Sequence, residues 1–277
     1  MKIIATWAAA SALAVLLTAS PAHAGRSCEA KKPSAASVQN GLVLAERTAA
    51  ALDAEHAKSG TQAVLLARAG QDLSKYGLKW SHLAFAVRQN AMVDGKSVPV
   101  WRVVHKLNQC GTSTASLYKQ GLGEFFLDDP WRFETAWVVP TPEVQAKVQA
   151  LLADSNKVPA LHQRRYSIVA YPWAQTYQQS NQWAIETLAA AIGPGVATRQ
   201  QAQAWLNASG YEPTTLKLGP LTRLGGRVTA ANIAFDDHPD EKRFSSRIET
   251  VTVDSVFSWL QRAQISPPGQ TPRVVKL

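Results

Sequence analysis

This chain has little sulfur and few of the motifs that announce a reaction. Cys28 and Cys110 are its only cysteines, so an oxidising compartment allows one pairing and no competing third thiol. There is no Gly-x-Ser-x-Gly elbow, no Walker loop, no dinucleotide fingerprint and no His-Glu-x-x-His pattern, so no cofactor and no catalytic metal is implied. Lysine and arginine give a net charge of +9, yet they form no dense basic block, which argues against nucleic acid as a partner. Internal repeats and low-complexity tracts are absent. After the first residues no segment is long and apolar enough to span a membrane, so no transmembrane span is expected in a mature chain.

What is present begins with an export signal. Lys2 supplies a positive start, Ile3 to Leu17 is almost wholly apolar, and Ala22-His23-Ala24 is an A-x-A cleavage site, so residues 1–24 read as a signal peptide and Gly25 as the mature start. An uncleaved anchor helix is the alternative reading. Gly25-Arg26-Ser27 before Cys28 is not a lipobox. Removing residues 1–24, with one lysine and no acid, leaves 253 residues and takes the charge from +9 to +8. That excess aids solubility, or favours anionic lipid, lipopolysaccharide or acidic polymers. The expected address is the periplasm.

Helical and strand patterns alternate without a regular βαβ rhythm, which predicts an α+β fold. Val38 to Ala57 has helical periodicity, and Gln62 to Arg68 reads as a buried strand. The next two runs contain His82 and His105 and are joined by Asp94-Gly95, a strong hairpin turn. Phe133 to Val139 is another strand, and Pro142 opens a helix to Leu152. Helices follow over Ser180–Ala191 and Thr198–Asn207. Thr214–Leu218, Arg227–Phe235 and Arg247–Val253 read as strands, and a last helix starts at Asp254 as N-cap. Residues 25–265 are expected to form one domain, with 266–277 a loose tail.

The most informative feature is a constellation. With Asp94 and Gly95 as a two-residue loop, His82 and His105 fall on one sheet face as diagonal neighbours, close enough for their rings to meet. A one-residue slip would separate them, and Pro99 weakens the ladder near the turn. Ala84 and Ala86 share the histidine face and leave room for a large element, of which the Ser180 helix is one candidate. Ser180 at a helix start is either a cap alone or a nucleophile beside helix N–H groups that stabilise an oxyanion. In the second reading His82 is the general base and His105 orients it, while Asn181 and Trp183 border the substrate. Singly, each histidine also fits a satisfied, partly buried side chain. Cys110 as a nucleophilic thiolate is a further alternative, which pairing with Cys28 would silence. Asp236-Asp237-His238-Pro239-Asp240-Glu241 resembles a metal loop but reads better as a solvated turn.

Several stretches carry a resemblance. Ala69-Gly-Gln-Asp-Leu-Ser-Lys-Tyr-Gly77, Val104-His-Lys-Leu-Asn108, Gly121-Leu-Gly-Glu-Phe-Phe-Leu-Asp128, Tyr177-Gln-Gln-Ser-Asn-Gln-Trp183, Gly210-Tyr-Glu-Pro-Thr-Thr-Leu216 and Ala234-Phe-Asp-Asp-His-Pro239 resemble the exported Gram-negative family known as domain of unknown function 2145, which brings no assigned activity. A more distant similarity is to circularly permuted papain-like (NlpC-type, YiiX-like) hydrolases. There a Ser-His-x-x-hydrophobic strand, here Ser81-His82-Leu-Ala-Phe85, precedes a helix beginning with cysteine. That resemblance implies a permuted papain-like domain and an exported hydrolase or acyltransferase. The implied partner is a cell-envelope component: a peptidoglycan peptide, a lipid or a lipoprotein acyl group. At the nucleophile position this chain has Ser180 instead of cysteine, which leaves open a catalytically inactive envelope-binding or assembly module.

Two outcomes are expected for the exported protein. N-terminal sequencing should begin at Gly25, and non-reducing peptide mapping should find Cys28 linked to Cys110. Closing so long a loop stabilises by roughly 3–5 kcal/mol in the chain-entropy picture. Free thiols at both positions would contradict the pairing.

Overall fold

Helix α1 (Ala35–Ser59) starts where Ser34 Oγ accepts the Ser37 N–H at 3.0 Å, and ends where Gly60 takes a left-handed φ of 70°. The computed structural model describes residues 33–127 and 130–277. Strand β1 (Ala63–Arg68) is buried throughout, and a 3-10 turn over Ser74–Tyr76 leads to β2 (His82–Val93) and β3 (Lys96–Asn108). The hairpin has the predicted register. Asp94 and Gly95 have φ of 49° and 75°, as a two-residue turn with both central residues left-handed requires, and Val93 faces Lys96 while Phe85 faces Val104. Pro99 faces Asn90 without breaking the ladder, because β4 (Ala115–Gly121) pairs with β3 only from Arg102 to Asn108. The short helix α2 (Leu122–Phe126), strand β5 (Glu134–Val138), helix α3 (Pro142–Ala153) and the single turn α4 (Lys157–Ala160) follow.

Next come α5 (Ser180–Ile192), α6 (Arg199–Ala208), β6 (Thr214–Lys217), α7 (Pro220–Thr229), α8 (Asp240–Phe244), β7 (Arg247–Thr250), α9 (Val253–Arg262) and β8 (Arg273–Lys276). The fold is α+β: among the described residues, a six-stranded antiparallel sheet in the order β4-β3-β2-β1-β5-β8, a two-stranded β6-β7 ribbon and nine α-helices. No helix among the described residues is long and apolar enough to cross a membrane.

Three expectations need correction, and one strand was not expected. The run Arg227–Phe235 is not a strand: it ends α7 and continues as a loop whose Ile233, Ala234 and Phe235 are buried. Ser167 supplies hydrogen bonds in place of a ladder, its Oγ donating to Ala234 O at 2.9 Å and accepting from Ala234 N at 3.1 Å. Asp254 is not the cap of α9; Thr252 is, in a reciprocal box with Ser255. The segment 266–277 is not wholly loose, since β8 adds an edge strand to β5. Strand β4 had no expectation at all.

The main sheet is buried on both faces. Leu83, Phe85, Val87 and Val104 pack against α5 through Trp183, Ala184, Ile185 and Leu188. Ala84, Ala86, Trp101 and Val103 pack against Leu44 and Leu52 of α1 and Phe125 and Phe126 of α2. Alternation along β2 and β3 therefore sorts residues between two cores. Helix α5 is buried from Ser180 to Ala189, and it encloses a charge. The Glu186 carboxylate accepts from Arg199 Nε at 2.8 Å, Arg199 Nη2 at 3.2 Å, Gln203 Nε2 at 2.7 Å and Gln178 Nε2 at 2.5 Å. The ion pair is almost wholly out of water, so removing one member strands the other.

Arg199→Ala should therefore cost roughly 3–5 kcal/mol in urea unfolding, whereas Arg227→Ala, at an exposed pair with Asp236, should cost about 1 kcal/mol or less. Equal losses would contradict the assignment of Glu186 as a buried anchor.

Candidate functional site

Both candidate histidines face α2. His82 is the first residue of β2 and His105 lies on the same side of β3 as Val103 and Trp101. The Phe125 ring touches both, with centroid separations of 5.9 Å to His82 and 5.2 Å to His105. The two imidazoles meet edge-on, and His82 Nε2 is 2.9 Å from His105 Nδ1. His105 Nε2 is in turn 2.8 Å from Gln120 Oε1 on β4. Each contact joins diagonal neighbours, His105 lying opposite Tyr118 and two residues from the partner of Gln120. A polar chain thus crosses three adjacent strands.

With His105 neutral, the chain sets the tautomers. The amide oxygen of Gln120 only accepts, so His105 carries its proton on Nε2. A neutral His105 then presents a lone pair at Nδ1, to which His82 donates through Nε2–H. That leaves the lone pair of His82 on Nδ1, an atom with no hydrogen-bond partner among the described residues. Burial, the nearby Arg68 guanidinium and His105 together hold the His82 imidazole well below the ordinary histidine pKa. His82 is a neutral base at neutral pH. Arg68 lies over the Phe125 ring at 4.7 Å and donates to the Phe125 carbonyl.

Ser180 reaches this region from the other core. It is the first residue of α5 and not its cap; Gln179 is the cap, with its side-chain oxygen accepting from Asn181 N at 3.2 Å. The element that fills the space over Ala84 and Ala86 is α1 with α2, not the Ser180 helix. A helical stripe reveals that one face is buried but not which sheet face receives it. The Ser180 hydroxyl lies 3.4 Å from Tyr166 Oη and makes no hydrogen bond to His82. Burial raises the pKa of the Tyr166 phenol, and the hydrogen bond with Ser180 opposes this, so Tyr166 keeps its proton.

What brings the two sides together is Asn181. Its Oδ1 accepts the Leu83 N–H at 2.8 Å, and its Nδ2 is 3.3 Å from Val251 O. Pairing of β2 with β3 ends at Phe85 and Val104, and Asn181 takes the place of the next strand partner. Ser180 and His82 are therefore sequence neighbours of two directly bonded residues. The expected substrate contacts at Asn181 and Trp183 are both engaged in the fold: Asn181 joins α5 to β2, and Trp183, 0% exposed, packs edge-on against Phe85.

Other features of the sequence lie apart from this chain. Cys28 and the cleavage site fall outside the described residues. Cys110 lies in the exposed turn between β3 and β4, and no free cysteine occurs among the described residues. The Asp236–Glu241 segment has no metal-binding cluster among the described residues; Asp236 accepts from Tyr177 and Arg227, and Asp237 from Tyr171 N and His238. Lys106 escaped sequence reasoning. It points toward α5, donating to Gln163 O at 2.5 Å and Gln178 Oε1 at 2.8 Å, and burial with Arg199 nearby pushes its amine down to about 6 against the pull of Glu186. Gln120 and Arg68 were missed as well. Gln120 would have required the β3–β4 register, and Arg68 stood within a run that signalled only a strand.

His82 makes a pH prediction. Its folded pKa lies below the unfolded value, so the unfolded state binds the proton first and stability falls as pH drops below about 6.5. The loss continues, at up to about 1.4 kcal/mol per pH unit, until the folded pKa is reached. His82→Gln should flatten that limb of the urea stability profile relative to the wild type. Parallel profiles would mean that His82 titrates alike folded and unfolded.

Comparison with known proteins adds family membership. A model of the family described as an uncharacterised protein conserved in bacteria (DUF2145) matches residues 55–260. No curated protein and no solved structure matches the chain.

Proposed function

The chain belongs to the DUF2145 family, and from that footing we propose that it is an exported, papain-like hydrolase or acyltransferase acting on an amide or ester of the cell envelope. The observation that carries this reading is the His82–His105–Gln120 chain around a neutral His82 imidazole, and in the proposal its Nδ1 is the unprotonated nitrogen. The order of parts supports it too. A strand histidine, an orienting residue on the next strand and a later helix opening at Ser180 follow one another as in permuted papain-like enzymes.

In the proposed reaction the Ser180 side chain turns from Tyr166 toward His82. Its Oγ attacks the carbonyl carbon while His82 Nδ1 takes the hydroxyl proton. The imidazolium so formed donates a strengthened Nε2–H bond to His105 Nδ1, and Gln120 holds His105 in the accepting tautomer. His82 then gives its proton to the leaving amine or alcohol. Water or an acceptor nucleophile reverses the sequence and releases the acyl group. First-turn N–H groups of α5 face the developing oxyanion. Peptidoglycan peptides and lipoprotein or lipid acyl groups are the substrate classes of this proposal, and the periplasm is its location.

A second reading, a catalytically inactive envelope-binding or assembly module, is favoured by one observation. Ser180 is 5% exposed and its hydroxyl is turned to Tyr166. A fluorophosphonate probe separates the two. The first reading expects covalent labelling that is lost in Ser180→Ala, kept in Ser116→Ala and slowed about 10²–10⁴-fold in His82→Ala, with all variants folded by circular dichroism. Absence of labelling in the folded wild type, with Ser180→Ala and His82→Ala both complementing a deletion strain at normal protein levels, would establish the module instead.

A further inference from the structure

Helix α7 is amphipathic in the wrong direction for a helix that only packs. Leu221, Leu224 and Val228 fall on one helical face, and they are 84%, 62% and 76% exposed. Its only buried residue is Gly226, where an added Cβ would meet the Ile233 side chain at 3.4 Å. The helix thus rests on the protein through a glycine and turns its large apolar side chains outward. Phe244, at the end of α8, is 70% exposed. It belongs to the same surface, because Arg223 of α7 donates to the Arg243 carbonyl and the Arg243 guanidinium lies 4.8 Å from the Phe244 ring.

The charges beside this stripe are cationic. Helix α7 contains Arg223 and Arg227 and no acid. Of the carboxylates that follow in the chain, Asp236 and Asp240 are held in ion pairs to Arg227 and Arg243, Asp237 is buried against His238, and Glu241 of α8 is exposed. Arg223 bonds to a backbone carbonyl and forms no ion pair among the described residues, and two further cations have no such partner either. Lys217 and Arg247 face each other directly across the β6–β7 ribbon, are both exposed, and form no ion pair among the described residues. Like charges directly opposite are destabilising, and they sit where the ribbon runs into α7. An anionic surface would relieve that repulsion while covering the apolar stripe.

We propose that α7 and Phe244 form an interfacial docking face for an anionic lipid bilayer. The apolar residues enter the boundary between headgroups and acyl chains, and Lys217 and Arg247 engage lipid phosphates. This docking face is separate from the His82 chain and does not depend on its chemistry.

The test is co-sedimentation of the mature protein with two vesicle preparations, phosphatidylcholine alone and phosphatidylcholine with about one third phosphatidylglycerol. The wild type should bind the anionic vesicles and lose that binding as salt rises. Leu221→Ser/Leu224→Ser/Val228→Ser should lower the partition coefficient by at least about tenfold, and Lys217→Gln/Arg247→Gln by about fivefold or more. All of the changed side chains are exposed, so the variants should keep the wild-type circular dichroism spectrum. Failure of the wild type to bind anionic vesicles would overturn the proposal, as would equal binding by wild type and triple variant. A wild-type dimer in analytical ultracentrifugation that the triple substitution dissociates, with no vesicle binding, would reassign the face to self-association.

Discussion

Pairing between β2 and β3 ends at Phe85 and Val104, and the Leu83 N–H beyond that point is taken by the side chain of Asn181. Much of the site follows from this substitution of a helix residue for a strand. A buried N–H needs an acceptor, and supplying it from α5 fixes the first turn of that helix against the start of β2. The strands are free to diverge there because β3 is held on its other side by β4 from Arg102 to Asn108. The His82–His105 hydrogen bond spans the same divergence from the α2 side. Sheet, helix start and imidazole pair are thus parts of one local arrangement.

Polar groups are buried on both sides of the sheet. On the α2 side the His82 imidazole is neutral, and the His82–His105–Gln120 chain lies beside Phe125, Ala84, Val103 and the buried Arg68. On the α5 side the polar groups are charged or chargeable: Glu186 with Arg199, and Lys106 linked to Glu186 through Gln178. A neutral imidazole tolerates low dielectric better than an ion pair does, and the buried charges have multiple hydrogen bonds where they occur. Burial first, then the Arg68 guanidinium on its own side of the sheet, holds His82 in its neutral state.

What the sequence made legible was local. Asp94-Gly95 specified the hairpin turn, and the turn specified the register that puts His82 and His105 on one face. The stripe on α5 was readable as well. Its destination was not, because periodicity is blind to which side of a sheet a helix joins, and Leu83, Phe85 and Val87 offered an apolar face as good as the Ala84–Ala86 face. Gln120 was hidden since Ala115–Gly121 has no clear alternation and its importance rests on a pairing of distant segments. The structural bond of Asn181 was not legible either, because it depends on the missing strand partner at Leu83. Ile233–Phe235 read as a strand because strand-like composition there reflects burial, which Ser167 makes possible without a ladder.

The central claim is the protonation pattern of one ring. Nitrogen-15 chemical shifts of labelled His82 at neutral pH report directly which nitrogen carries the proton. The account predicts a neutral imidazole protonated at Nε2, with an unprotonated Nδ1. A proton on Nδ1, or the shifts of a doubly protonated imidazolium, would contradict it.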